Sequence, residues 1–207
     1  MHPNRAFRGE TTKRHLTFVR DRVFGTLSVN GPEGPVMAHV PVLLSEDGRV
    51  AEAHLVRSNP MARMLDTPLP AVIAVTGPDG YVSPDWYESA GQVPTWNYVA
   101  VHLRGTLTRM PDDILRDLLV RQSAAYEARL APKPAWLIDK VDEVALGKLL
   151  RAIVPVRLDV DRVDGTWKLS QNKTEADRNG ATESIKQGFG SELPTLATLM
   201  RRRDGAK

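Results

Sequence analysis

The segment "KLSQNK", Lys168 to Lys173, places two ammonium groups, a hydroxyl and two amides in one short run directly behind Trp167. Glutamine and asparagine offer paired donors and acceptors, which the carbonyls and ring nitrogens of a planar heteroaromatic ligand require. A polar loop leaving a sheet has the same composition, and taken alone the segment reads that way. A second set lies in "HLVRSNP", where Arg57 leaves a strand and Asn59 with Pro60 opens a helix. A helix N-terminus exposes unpaired N–H groups, and Arg57 beside it can chelate two phosphate oxygens, with Ser58 as a further donor. The plainer alternative has Asn59 only capping and Arg57 in solvent. Third, "YVSPDWY" and "VPTWNY" hold two of the four tryptophans and three of the four tyrosines. Such rings can wall a pocket for a flat ligand while Thr95 and Asn97 bond its edge. They can equally form the centre of a subunit interface.

His39, His54 and His102 fall on separate strand segments with no close pairing, so their spacing offers no first-row metal site. A single axial histidine to haem needs no spacing motif, which keeps these three as candidate haem ligands. The GxSxG, GxxxxGKS/T and post-strand GxGxxG patterns do not occur, which removes three common enzyme classes.

Cysteine is absent, so the chain has no disulfide, thiolate metal site or cysteine nucleophile. That suits a reducing cytoplasm, the expected location. The N-terminal "MHPNRAFRGETTKRH" has charges but no apolar run behind them, and no stretch reaches the length of a membrane span. A net charge of +3, partly concentrated in the terminal "MRRRDGAK", gives nucleic acid only faint support.

These residues need elements to position them. Periodicity predicts a helix from Thr11 to Asp21, then a three-stranded antiparallel meander, "VFGTLSVN", "VMAHVPVLLS" and "RVAEAHLV". A short helix follows Asn59. "PAVIAVTGP" reads as a strand, and "DGYVSPDWY" as a turn, short strand and loop. "TWNYVAVHLRGTLTRM" is expected to be the longest strand, bent near Gly105. "PDDILRDLLVRQSAAYEARL" is an amphipathic helix with Ile114, Leu115, Leu118, Leu119 and Tyr126 on one face, and a second helix spans Asp139 to Arg151. A late hairpin is expected to turn at Asp164-Gly165. From Thr174 the pattern weakens to loosely packed helical turns and a mobile tail. The expected organisation is a domain over residues 1–178 followed by weakly patterned turns and a basic tail over 179–207. The fold class is α+β, mainly β: a small β-barrel with peripheral helices.

The ordered set "HVPVLL", "HLVRSNP", "YVSPDWY", "VPTWNYVAVH" and "WKLSQNK" resembles the PaiB family, the FMN-binding negative transcriptional regulators, from about Phe7 to Arg178. The resemblance implies an FMN-binding split β-barrel and a homodimer with two sites at its interface. It implies a phosphate end at Arg57, Ser58 and Asn59, with Thr26 and His39 flanking the cofactor. Trp96 and Asn97 become interface and pocket residues. Lys168, Ser170, Gln171 and Asn172 become the late-strand segment that a neighbouring subunit lends to the flavin.

Three functions follow as expectations. The first is an FMN-binding dimer that represses transcription or senses flavin or redox state. The second is a flavin-dependent oxidoreductase of unnamed substrate. The third is a protein binding haem b through His39, His54 or His102, either a haem-dependent synthase or a haem-handling protein. No catalytic residue emerges from the spacing. Without a helix-turn-helix signature, any direct contact with DNA is expected to be weak and salt-dependent.

Overall fold

The computed structural model describes residues 1–201. Roughly as many residues lie in helices as in strands, which corrects the expected weighting toward strands. The chain forms two compact units, one comprising Leu16–Ala74 and His102–Val163, the other Met1–His15, Val75–Val101 and the chain from Asp164.

Helix α1, Thr12–Arg22, lies one residue beyond the expected span. Strands β1, Phe24–Gly31, and β2, Gly34–Pro41, form a hairpin with Thr26 opposite His39. Strand alternation sends Leu27 and Val29 into the core and leaves Thr26 and His39 on the other face. The expected meander stops there. Pro41 has no N–H to extend a ladder, and the chain departs at Val42. The two-residue β3, Leu43–Leu44, then pairs with β4, Val50–Val56. β4 in turn pairs along its length with β7, Ile153–Lys168.

Asn59 and Pro60 do open a helix, α2, Pro60–Met64, with Asn59 Oδ1 accepting from Met61 N at 2.8 Å. Strand β5, Leu69–Val82, runs unbroken through the predicted turn at Asp79-Gly80. Its far end is held extended by β8, Gly190–Ser191, and by Tyr81 N donating to Phe189 O. Strand β6, Thr95–Arg109, has 15 residues and β7 has 16, so β7 is the longest.

β7 replaces the expected hairpin. Gly165 is needed for close approach rather than for a turn: a Cβ there would sit 2.1 Å from the His15 ring. Gly105 has the same role, since its Cβ would meet Asp159 O at 1.8 Å. The eight-stranded sheet runs β2-β1-β5-β6-β7-β4-β3, with β8 pairing β5 off this path.

Helix α3, Leu115–Glu127, buries Leu115 and Leu118, and its Arg121 forms an ion pair with Glu52 on β4. Helix α4, Glu143–Arg151, starts later than predicted because Asp142 caps it, accepting from Val144 N and Ala145 N. At the C-terminal end the expected loose turns are two packed helices, α5, Glu175–Ile185, and α6, Leu193–Arg201. Asp177, Ala181, Thr182 and Ile185 share the buried face of α5, in which only Ile185 is large and apolar. Residue 178, the expected boundary, falls inside α5. The expected mobile tail lies outside the described residues.

Candidate functional site

A cavity of about 200 Å³ opens in the unit made of Met1–His15, Val75–Val101 and the chain from Asp164. Strand β6 supplies Thr95 and Asn97 to it, and the exit of β7 supplies Lys168, Ser170, Asn172 and Lys173. Because strand side chains alternate, the neighbours Trp96 and Tyr98 face the opposite way. Trp96 Nε1 instead donates to Asp79 Oδ1 at 3.1 Å, and its ring meets Phe189 edge-on at 5.4 Å. Trp96 and Asn97, expected as interface and pocket residues, thus lie on two faces, and only Asn97 lines this cavity.

Asn97 is fully buried. Its Nδ2 donates to Ser170 Oγ at 2.8 Å and reaches Met200 Sδ at 3.5 Å. Among the described residues its Oδ1 has no partner. An unpaired buried acceptor costs about 1–3 kcal/mol. Ser170 adopts φ 61, a left-handed conformation that costs a non-glycine residue about 1–2 kcal/mol. Backbone of that kind is kept where it aims a side chain, and here the hydroxyl holds the Asn97 amide.

Lys168 Nζ donates to Thr95 Oγ1, and Lys173 Nζ to Gln92 Oε1. Burial presses the Lys168 pKa down, and the Lys173 charge adds to that. Among the described residues, no carboxylate lines the cavity. Aromatic walls come from Phe7, with Lys168 Nζ at 5.7 Å from its ring centroid, and from Tyr87, with Lys173 Nζ at 5.0 Å. Tyr87 Oη is buried without a hydrogen bond of acceptable geometry. Burial raises its pKa, and nearby Ser170 moderates the rise.

Gln171 stays out of the cavity. Its Oε1 accepts from Leu169 N at 2.7 Å, and its Nε2 donates to Ala6 O and Trp167 O. That first contact ties the N-terminal segment down, as does His2 N donating to Thr166 Oγ1 at 3.1 Å. The segment completes the wall with His2, Asn4 and Phe7. Nothing in the sequence announced this wall, because its contacts join residues more than 160 positions apart.

The other predicted set lies in the other unit. Arg57 is half-exposed, and its guanidinium is largely committed. Nε donates to Arg151 O at 2.8 Å, while Nη2 donates to Asp112 Oδ2 and to Ile153 O, both at 2.8 Å. Ser58 is exposed and Asn59 caps α2. Thr26 Oγ1 lies 3.1 Å from His39 Nδ1 on the exposed face of the hairpin. His54 is pushed toward the neutral form by burial, with Gln122 opposing. None of His39, His54 and His102 lines the cavity.

A chain with about equal helix and strand content and one antiparallel sheet of this order has a split-barrel fold, and solved structures agree. The FAD and haem binding protein of Mycobacterium smegmatis superposes with a TM-score of 0.58 over 89% of this chain and 82% of that one, at 19% identity. The flavocytochrome Anf3 of Azotobacter vinelandii gives 0.55 over 81% and 72%, at 11% identity. Residues 1–162 match the family described as "Putative FMN-binding domain", and the chain belongs to that family. The "Protease synthase and sporulation protein PAI 2" of Bacillus subtilis (strain 168) is 29% identical over 185 residues, covering 88% of each chain. FMN is the cofactor that this membership assigns.

Proposed function

We propose that the chain works as a homodimeric FMN-binding regulator or sensor, with the pyrimidine edge of the flavin ring in the cavity. Asn97 carries this reading. The edge of the isoalloxazine ring presents N3–H between two carbonyls, and the buried Asn97 Oδ1 is an acceptor without a donor. Lys168 stands ready for the N1 and C2 carbonyl side, with Ser170 holding the amide in place. At about 200 Å³ the cavity is smaller than the ~300–1,000 Å³ typical of whole-ligand pockets, so it suits one edge of FMN. Arg57 with Ser58 and Asn59 stays the proposed phosphate end, and the family resemblance has a second subunit supplying the ring-edge residues. The sporulation-protein name of the Bacillus relative supports a regulatory role. When bound, the flavin supplies the electron chemistry, and this chain's residues bind and orient it.

Reconstitution with FMN and, separately, with haem tests the reading. The expected outcome is flavin absorption that stays with the protein through gel filtration, and quenched flavin fluorescence. Asn97→Leu should weaken FMN by about 1 kcal/mol, roughly fivefold. A retained haem spectrum with no retained flavin would replace this reading with the haem one, which the words "FAD and Heme binding" in the Mycobacterium relative's name make the natural competitor.

A further inference from the structure

The cavity has an imbalance of charge that flavin binding alone does not require. Lys168 and Lys173 both point at it, and their hydrogen-bond partners are the neutral Thr95 and Gln92. No ion pair to either lysine forms among the described residues, and no acidic side chain lines the walls. Elsewhere the same chain pairs its cations freely: Arg116 with Glu143, Arg121 with Glu52 and Asp117, Lys186 with Glu183. Burial first, and the neighbouring Lys173 charge second, depress the Lys168 pKa, so two cations in this partly desolvated recess form a site that gains from a negative charge on its occupant.

We propose that Lys168 and Lys173 make this cavity select the reduced, anionic form of the flavin, so that redox state sets how tightly the protein holds its cofactor. The inference rests on the flavin reading above and adds what the site discriminates. Reduction takes two electrons and one proton. The hydrogen bonds to N5, and the electron pair displaced through the ring settles on N1 and the C2 carbonyl oxygen, leaving one net negative charge. A hydride donor such as a nicotinamide dinucleotide delivers all three particles in one step. The lysines stay protonated and screen the new charge, while Asn97 Oδ1 accepts from N3–H in both states. Affinity for the reduced form therefore rises, and by linkage the potential of the bound flavin rises with it.

The test uses the full chain loaded with FMN. Its potential is read against a reference dye during anaerobic titration with dithionite and compared with that of free FMN. The bound flavin should be the easier one to reduce. Lys168→Met should cut the preference for the reduced form about tenfold, or ~30 mV for a two-electron couple. Lys173→Met should act in the same direction, and Lys168→Arg should retain the wild-type value. Thermal melts of each variant separate charge loss from unfolding, and Lys173→Met carries the test if Lys168→Met does not fold. A bound flavin no easier to reduce than free FMN, or methionine variants that leave its potential unmoved, overturns the inference and leaves FMN binding standing. Failure of the wild-type protein to hold FMN in either state overturns both.

Discussion

Arg57 has three acceptors from its own chain, so a phosphate could claim only Nη1, which has no partner among the described residues. The bidentate fork expected from the sequence is reduced to a single-nitrogen grip. Arg57→Ala should weaken FMN by about 1.5–3 kcal/mol, roughly 10- to 150-fold. Riboflavin, which lacks the phosphate, should bind the two proteins equally. The same variant unties Arg151 O, Ile153 O and Asp112, so its melting temperature should also fall. Equal losses for FMN and riboflavin would show that Arg57 serves the fold alone. The types of the site residues were legible in the sequence: Asn97, Lys168, Ser170 and Asn172 do line one cavity. The direction of Trp96 was not, although strand alternation alone separates it from Asn97. Gln171 does not line the cavity, because its side-chain amide closes on nearby backbone at Leu169 N and Trp167 O.

At the scale of elements, glycine misled most. Gly80 and Gly165 were read as turn residues, yet each lies inside a continuous strand. A glycine that admits a neighbouring ring cannot be told from a turn glycine without knowing the neighbour. At Gly165 that neighbour is His15, whose Nδ1 accepts from Trp167 Nε1 at 3.1 Å while Arg14 lies over the Trp167 ring at 4.3 Å. Gly165→Ala should therefore cost about 1–3 kcal/mol by overpacking. In a His15→Ala background the added cost should shrink, with a coupling of at least ~0.5 kcal/mol. Denaturant melts of the four proteins measure it, and strict additivity would show that the His15 ring is not what Gly165 accommodates. The helix at Asn59 was readable because its cap is a local matter of adjacent residues. The pairing of β4 with β7 was not, because about a hundred residues separate them.

At the scale of the whole molecule, fold class and family were the most legible of all. Ordered motifs spread from "HVPVLL" to "WKLSQNK" constrain an architecture even where single strands were misdrawn. Helix α5 escaped because small and polar residues, Asp177, Ala181 and Thr182, make up most of its buried face. Regulation in this account runs through the flavin rather than through direct reading of DNA, consistent with a net charge of only +3. The proposed homodimer would account for a cavity smaller than the whole cofactor, with a second copy enclosing the rest. One measurement tests this most directly, a crystal structure of the FMN complex. The expected result is two copies around each flavin, N3–H within hydrogen-bond reach of Asn97 Oδ1, and Lys168 Nζ on the N1 and C2 carbonyl side. A flavin bound away from Asn97, with only water in the cavity, would contradict it.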